Sequence, residues 1–406
     1  MDLTKTRWIP LLLAVAVVLG LFGAFAPVAA AAETGAFQYA DDAFISAYAK
    51  NAVEQCRDYN VMHGSVIGGQ HLFRPLDYIT RQEMFRVVYS LNNAGKAEKN
   101  AMFERIAQTS AFEDKAAIAP WALSYAGYCI STGLFIGDAA NRLNPTANIT
   151  YFECAIVFLR LLGYTQDTLA VLPGETAAQW RQRITALADS RGLFDDVLYY
   201  ANERYDQMIY RQDVAVMAAN TMRCKTVTYY PVQNEGVFYI EGQQTMAERS
   251  FGAVAEVSAV IIGMTETGYR LSDGAVVTAP DFRAPDRNCL GRKVVYLSSE
   301  NNAVLSWDGA FAEGETVTTV PPAEVTLDFS AGGGVMIRLG SRALIYTADE
   351  EDIVYTFEAS ADSAVAVGYD MLRVSLERYK SMALPVVLRA VVSENGKLQS
   401  LVVLRV

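Results

Sequence analysis

Residues 73–83, "FRPLDYITRQE", and residues 143–153, "LNPTANITYFE", are two versions of one phrase. Proline, isoleucine, threonine and glutamate coincide, and Thr80 lies 70 residues before Thr150. In both, threonine and glutamate have capping-box spacing, in which a hydroxyl and a carboxylate satisfy backbone N–H groups at a helix start. Apolar residues then recur every three or four positions, as in "ITYFECAIVFLRLLGY" (149–164), which predicts a helix. The first version adds Arg81 at the first helical position. The helix dipole is positive there, so a cation is locally disfavoured. A guanidinium beside free N–H groups would make a site for a carboxylate or phosphate, and the alternative is a solvated surface residue.

A third, weaker version is "YDQMIYRQD" (205–213), with Tyr210 in the threonine position, Arg211 in the arginine position and Asp213 for the glutamate. A glycine turn precedes each helix start by 16 to 18 residues, at Gly64, Gly133 and Gly192, and a further helical segment precedes each glycine. Each unit therefore reads as helix, glycine turn, irregular loop and capped helix. One such pair cannot bury its apolar face alone, and three can close around a shared core. The second copy is the fullest, with Phe112, Asp114, Trp121, Ala122, Gly133, Gly137 and Pro145.

The pattern Phe-x-Asp, Trp-Ala, glycine loop, proline and Ile-Thr-Arg-x-Glu resembles the S-layer homology domain of bacterial cell-surface proteins. The resemblance implies an all-α trimer of repeats forming a pseudo-threefold helical prism; with the strand pattern that follows it, the chain reads as multidomain with a mainly-β C-terminal region. The repeats fall at 33–97, 98–165 and, in degenerate form, 166–225. It also implies non-covalent attachment to the cell wall through a pyruvylated or otherwise anionic secondary cell wall polysaccharide, held in grooves between repeats. By position, the arginine that meets the anion is Arg81 in the first copy and Arg211 in the third, flanked in the first by Thr80 and Glu83. Tyr151 stands there in the second copy and cannot make the ion pair, so at most two grooves bind through arginine; a tyrosine could instead stack on a sugar ring. The early aspartate maps to Asp114, and to Asp41 or Asp42 in the first copy; the loop glycine maps to Gly137 and Gly68.

From about Thr226 the period changes to short alternating runs, "TVTYY", "VFYIE", "KVVYL", "RALIYT" and "IVYTF", separated by turn signals. Asn395-Gly396 between "VVLRAVVSE" and "KLQSLVVLRV" predicts a terminal hairpin. A Gly- and Pro-bearing stretch near 309–334 suggests that 226–406 divides into two subdomains. The two histidines, His63 and His71, both lie in the first copy, so the β region has no histidine for a catalytic triad or metal site. Paired carboxylates remain open to it, which keeps a wall-anchored glycan-acting enzyme as the rival to a purely binding and structural protein. "ADEEDI" (348–353) lacks the ligand spacing of a calcium loop and reads as a solvated turn. "GSVIGGQ" (64–70) lacks the lysine of a phosphate loop and reads as the turn of the first copy.

The chain of 406 residues is 52% hydrophobic and 19% charged, with net charge −11 and pI about 4.9. That balance argues against a nucleic-acid partner and leaves room for one local cationic pocket. Lys5 and Arg7 precede an uncharged run ending in Val28-Ala29-Ala30-Ala31-Ala32, read as a secretory signal over 1–32. No second apolar run of membrane length follows, so the mature protein is expected to be secreted to the cell wall. Cys56, Cys129, Cys154, Cys224 and Cys289 are odd in number and widely spaced, and read as reduced core residues. No metal or cofactor is expected.

Overall fold

The computed structural model describes residues 39–405 except 97–98, 198–204, 233–235, 279–284, 287–288, 308–315, 321–324, 330–334, 340–341, 349–354, 357–364, 367–368, 383–385 and 393–397. Residues 1–32, read above as a secretory signal, most of "ADEEDI" and the expected turn at Asn395-Gly396 lie outside the described residues. The first half is helical: α1 (Lys50–Asp58), α2 (Arg81–Asn92), α3 (Ala101–Thr109), α4 (Leu123–Ser131), α5 (Tyr151–Leu162), α6 (Ala177–Ser190) and α7 (Arg211–Arg223). It is not wholly α: "GSVIGGQ" belongs to a small hairpin, β1 (Ser65–Ile67) with β2 (Gln70–Leu72). Gly68 and Gly69 turn it with φ of +60° and +80°, values that exclude most other residues at low cost.

α2 and α5 begin with complete capping boxes, Thr80 with Glu83 and Thr150 with Glu153. α7 has no side-chain cap, as Tyr210 cannot supply one. The three starts meet in a closed ring. The Ile79 N–H donates to the Ile209 carbonyl (3.3 Å), Ile209 to Ile149 (3.0 Å) and Ile149 back to Ile79 (3.1 Å). The next donors follow the same rotation. Arg81 and Gln82 donate to Ala147 and Pro145, Tyr151 and Phe152 to Gln207 and Tyr205, and Arg211 and Gln212 to Asp77 and Pro75. Each helix thus has its first two orphan amides capped by backbone of the neighbouring segment. Ile79, Ile149 and Ile209 are fully buried at the centre.

Two aspartates tie the loops in place. Asp114 accepts from the Leu143 and Asn144 amides (2.9 and 2.6 Å), and Asp41 accepts from Phe73 and Arg74 (2.8 and 2.7 Å). Asp41, rather than Asp42, is therefore the counterpart of Asp114.

The second half is mainly strand. β3 (Lys225–Val232) and β4 (Gly236–Thr245) form a ribbon, and the short helix α8 (Met246–Phe251) follows. β5 (Val254–Met264), β6 (Gly268–Leu271), β7 (Val276–Thr278), β8 (Lys293–Ser299) and β9 (Asn302–Ser306) make an antiparallel sheet in the order β7-β6-β5-β8-β9. The remaining strands, β10 (Thr316–Val320), β11 (Val325–Phe329), β12 (Val335–Leu339), β13 (Arg342–Ala348), β14 (Tyr355–Thr356), β15 (Val365–Ala366), β16 (Val386–Val392) and β17 (Leu398–Arg405), pair only among themselves. The terminal hairpin is β16 with β17, and it is preceded by a helix, α9 (Tyr369–Ser381), that the strand pattern does not predict.

The helical core does not stop where the strands begin. Val227, Met246, Phe251 and Leu305 belong to the same buried cluster as the helices, while β5, β6 and β8 have a second cluster around Ile261, Leu271 and Val294. Asn302 Nδ2 and Ser306 Oγ on β9 donate to the carbonyls of Ala94 (3.0 Å) and Asp58 (2.7 Å). All five cysteines are unpaired, and Cys56, Cys129 and Cys154 are buried. Among the described residues no helix is long and apolar enough to cross a membrane.

Gly127 lets α4 approach α3 closely: a Cβ there would sit 1.8 Å from the Phe103 carbonyl oxygen. In an exposed helix, Gly→Ala gains about 1 kcal/mol. Here the backbone clash outweighs that gain, and Gly127→Ala should lower stability by about 1–3 kcal/mol. A thermal melt by circular dichroism checks the sign; an unchanged or raised midpoint would show that α3 and α4 separate freely.

Candidate functional site

The ring of helix starts carries a second ring of side chains. Arg81 donates from Nη1 to Glu153 Oε1 (2.7 Å) and from Nε to the Leu143 carbonyl (2.7 Å). Arg211 donates from Nη1 to Glu83 Oε1 (3.0 Å), from Nε to Phe73 (3.0 Å) and from Nη2 to His63 (3.1 Å). The Tyr151 hydroxyl donates to Asp213. Each first helical residue therefore binds the acid at the third position of the next helix: 81 with 153, 151 with 213, 211 with 83. Each guanidinium also lies over an aromatic ring, Arg81 at 5.4 Å from Phe135 and Arg211 at 5.5 Å from Phe73.

This alters two expectations. The free N–H groups foreseen beside Arg81 are all occupied, the first two by neighbouring carbonyls and the third by the Thr80 hydroxyl. The cation is tolerated at a positive helix end because Glu153 neutralises it from the side. Tyr151 is buried and donates inward, so it is closed to a sugar ring.

One pocket of about 180 Å³ opens beside this ring. Arg211 and Glu83 lie at its base, and Arg74, Arg86, His63 and Trp121 line it. Glu83 Oε1 accepts from both Arg211 and Arg74, while Oε2 accepts from the Thr80 amide and hydroxyl. Arg74 also faces Asp77 (3.6 Å). Arg86 follows Glu83 by three residues on the same face of α2 and has no hydrogen bond or ion pair among the described residues. The Nε atoms of Arg74 and Arg86 are buried without an acceptor. Trp121 sits in a short turn, Pro120–Ala122, held to α2 by the Ala119 N–H donating to Gln82 Oε1 (3.1 Å), and its indole is 45% exposed.

Beside Arg81 the corresponding positions are apolar or neutral, with Asn144 for Arg74 and Ile156 for Arg86. Arg74 and Asn144 share a left-handed backbone, φ +60° and +53°. Asparagine suits that region and arginine does not, so the first copy keeps its arginine at a conformational cost. Of the residues predicted for the site, Arg211, Glu83 and Thr80 lie in or against this pocket. Arg81 and Tyr151 lie in the other two junctions, and Asp114 and Gly137 serve the second loop. Gly137 has φ +76°, and a Cβ there would meet the Phe112 ring at 2.5 Å. Arg74, Arg86 and Trp121 were not foreseen as ligands; the signal lay in where the copies differ in charge.

Glu83 is held below the ordinary carboxylate range: burial pushes it up, and Arg211, the Thr80 amide and hydroxyl, and Arg74 together outweigh that. Its stabilising contribution is present above its unfolded value and lost as the pH falls through the folded one. Asp213 is opposite, pushed up by burial against the hydrogen bonds of Tyr151 and Tyr48. Burial, followed by Arg86, brings His63 down to about 3, so it is neutral near pH 7. Among the described residues no group of three or more His, Cys, Asp and Glu is placed to hold a metal ion.

Residues 111–155, which include Asp114, Trp121, Gly137 and the second capping box, match the family model of the S-layer homology domain. The chain is also similar to the surface-layer 125 kDa protein of Lysinibacillus sphaericus, 29% identical over 192 residues, covering 34% of this chain and 16% of that protein.

Tyr151→Phe leaves Asp213 buried with Tyr48 as its remaining phenol donor (2.6 Å). The expected loss near pH 7 is about 1–3 kcal/mol, the usual penalty for an unmet buried acceptor. A raised folded pKa means stability gained on acidification, and removing Tyr151 raises it further, so the loss should shrink toward pH 5. Denaturation at both pH values tests this; a loss that does not change with pH would mean Asp213 is not the group affected.

Proposed function

We propose, from the premise that the chain carries an S-layer homology domain, that this is a bacterial cell-surface protein held on the cell wall by its helical half. The matched domain and the surface-layer relative support the surface location. In this reading the three helix starts are the hubs of three such repeats closed into a pseudo-threefold prism, and residues 1–32 direct secretion. The helical unit binds an anionic secondary wall polysaccharide, and the strands beyond residue 225 are presented outward.

The observation that carries the binding reading is the pocket at Arg211. The chain has net charge −11, yet three arginines and a half-exposed indole converge on one small concavity. An indole face stacks on the apolar face of a sugar ring, and guanidinium groups take a planar anion in bidentate fashion. At about 180 Å³ the pocket is smaller than the roughly 300 Å³ at which drug-sized sites begin, so it suits one ring or its charged substituent, with the polymer running along the surface. Arg81 and Arg211 support this site by holding the ring together, so replacing them would confuse binding with folding.

The test uses the full mature chain and purified sacculi, with and without their secondary polysaccharide. Retention should require the polysaccharide, and Trp121→Ala should weaken it about tenfold or more, as expected for an aromatic anchor. Equal retention on stripped sacculi would rule out the polysaccharide as the receptor.

A further inference from the structure

The ribbon of β3 and β4 is covered on one side only. Alternate side chains of a strand point to opposite faces. Val227 is buried in the core of the helical half, and Tyr229 stands beside Tyr239 on the same face. The Tyr239 ring packs against Tyr164 at 4.7 Å, and its hydroxyl lies 3.0 Å from Thr165 Oγ1. Glu241, also on that face, accepts from Arg191. The opposite face carries Thr228, Tyr230, Phe238 and Ile240, with Thr228 paired across to Ile240 and Tyr230 to Phe238. Tyr230, Phe238 and Ile240 are 50%, 48% and 56% exposed. Apolar residues scattered singly over a surface are ordinary, whereas neighbours on one face mark an interaction site. Among the described residues no other strand joins this ribbon.

We propose that the outer face of the ribbon is a self-association surface, which packs on the same face of a second copy of this chain. Charge, shape and size each point to that occupant. The four residues are uncharged in a chain of net charge −11. Two such chains repel through most of their surface, with a range of about 8 Å at physiological ionic strength, so copies meet most easily through an uncharged face. The face is also self-complementary. Its rows differ in bulk, Tyr230 with Phe238 in one and Thr228 with Ile240 in the other. A twofold axis across the strands, between the rows, sets Tyr230 over the second copy's Thr228 and Phe238 over its Ile240. Large residues then interdigitate with smaller ones, as in the core of a two-sheet sandwich, and the two helical halves lie on its outer sides. A half-exposed aromatic side chain offers on the order of 100 Å², so the three apolar residues offer about 300 Å² per copy and about 600 Å² per pair. A stable complex in free solution buries roughly 1,200 Å² or more. So small a contact joins only chains that are already held close together, and attachment to one wall holds them so by raising their effective concentration. That setting rests on the wall-anchoring reading above, to which it adds a lateral neighbour.

The experiment places a benzophenone photo-crosslinking residue at position 240 of the full mature chain. This chain is mixed with isotope-labelled wild type, on purified sacculi and in solution. Adducts should join position 240 of one chain to the segment around Phe238 of another, at least about tenfold more abundantly on sacculi than in solution at the same total concentration. Phe238→Glu in both chains should abolish them with an unchanged melting midpoint, since the side chain is on the surface. Phe238→Glu chains mixed with Ile240→Lys chains should pair again, because the two positions face each other, and carbodiimide should then link the introduced carboxylate to the introduced amine. Adducts confined to wall material overturn the proposal, and so do adducts between chains that survive Phe238→Glu; both results leave the anchoring reading standing. If wild type does not stay on sacculi, the anchoring reading falls. Cross-linking in solution near about 1 mM, the effective concentration of tethered partners, then decides the pairing: adducts at Phe238 support the face, and their absence overturns it.

Discussion

Three peptide hydrogen bonds, running from Ile79 to Ile209 to Ile149 and back to Ile79, set the geometry of the helical half. They place three helix starts within reach of one another. The first two amides of α2, α5 and α7, which a lone helix would leave open, then each find a carbonyl in the adjacent segment. The same closeness pairs Arg81 with Glu153, Tyr151 with Asp213 and Arg211 with Glu83. Removing one partner of the most buried ion pair, Arg211 with Glu83, costs about 3–5 kcal/mol, far more than a surface pair is worth. The ring thus fixes both the packing of the helices and the floor of the pocket.

Part of this was legible in the sequence. The Thr80–Glu83 and Thr150–Glu153 caps are local, with partners three residues apart, and the spacing alone specified them. What Arg81 does was not legible, because its partner Glu153 lies 72 residues away and meets it only once the ring closes. Tyr151 looked like a break in the motif. In the fold it does the arginine's work with a different donor, because its acid is a deeply buried aspartate that a phenol satisfies without bringing in a second charge. Arg86 carried no signal in the sequence pattern, and Trp121 stood out only as part of the second copy's motif. Only the fold brings them to one concavity, between α2 and the Pro120–Ala122 turn.

The change from helix to strand at residue 225 was visible as a change of period, and it is real. The packing boundary is elsewhere. β3, β4, α8 and β9 share the core of the helices through Val227, Met246, Phe251 and Leu305. Periodicity reports which face of an element is apolar, and not which neighbour covers it, so no reading of the pattern alone could have assigned these residues to the helical unit. The consequence is mechanical: the first sheet is mounted on the helical unit by a continuous core.

The most direct test of the ring is native-state amide hydrogen exchange at Ile79, Ile149 and Ile209. A closed ring predicts that the three amides exchange together, at a rate set by unfolding of the whole helical half, since none can open without freeing the other two starts. Independent rates, with one isoleucine amide exchanging orders of magnitude faster than the others, would show that the helix starts fold separately and would contradict the account.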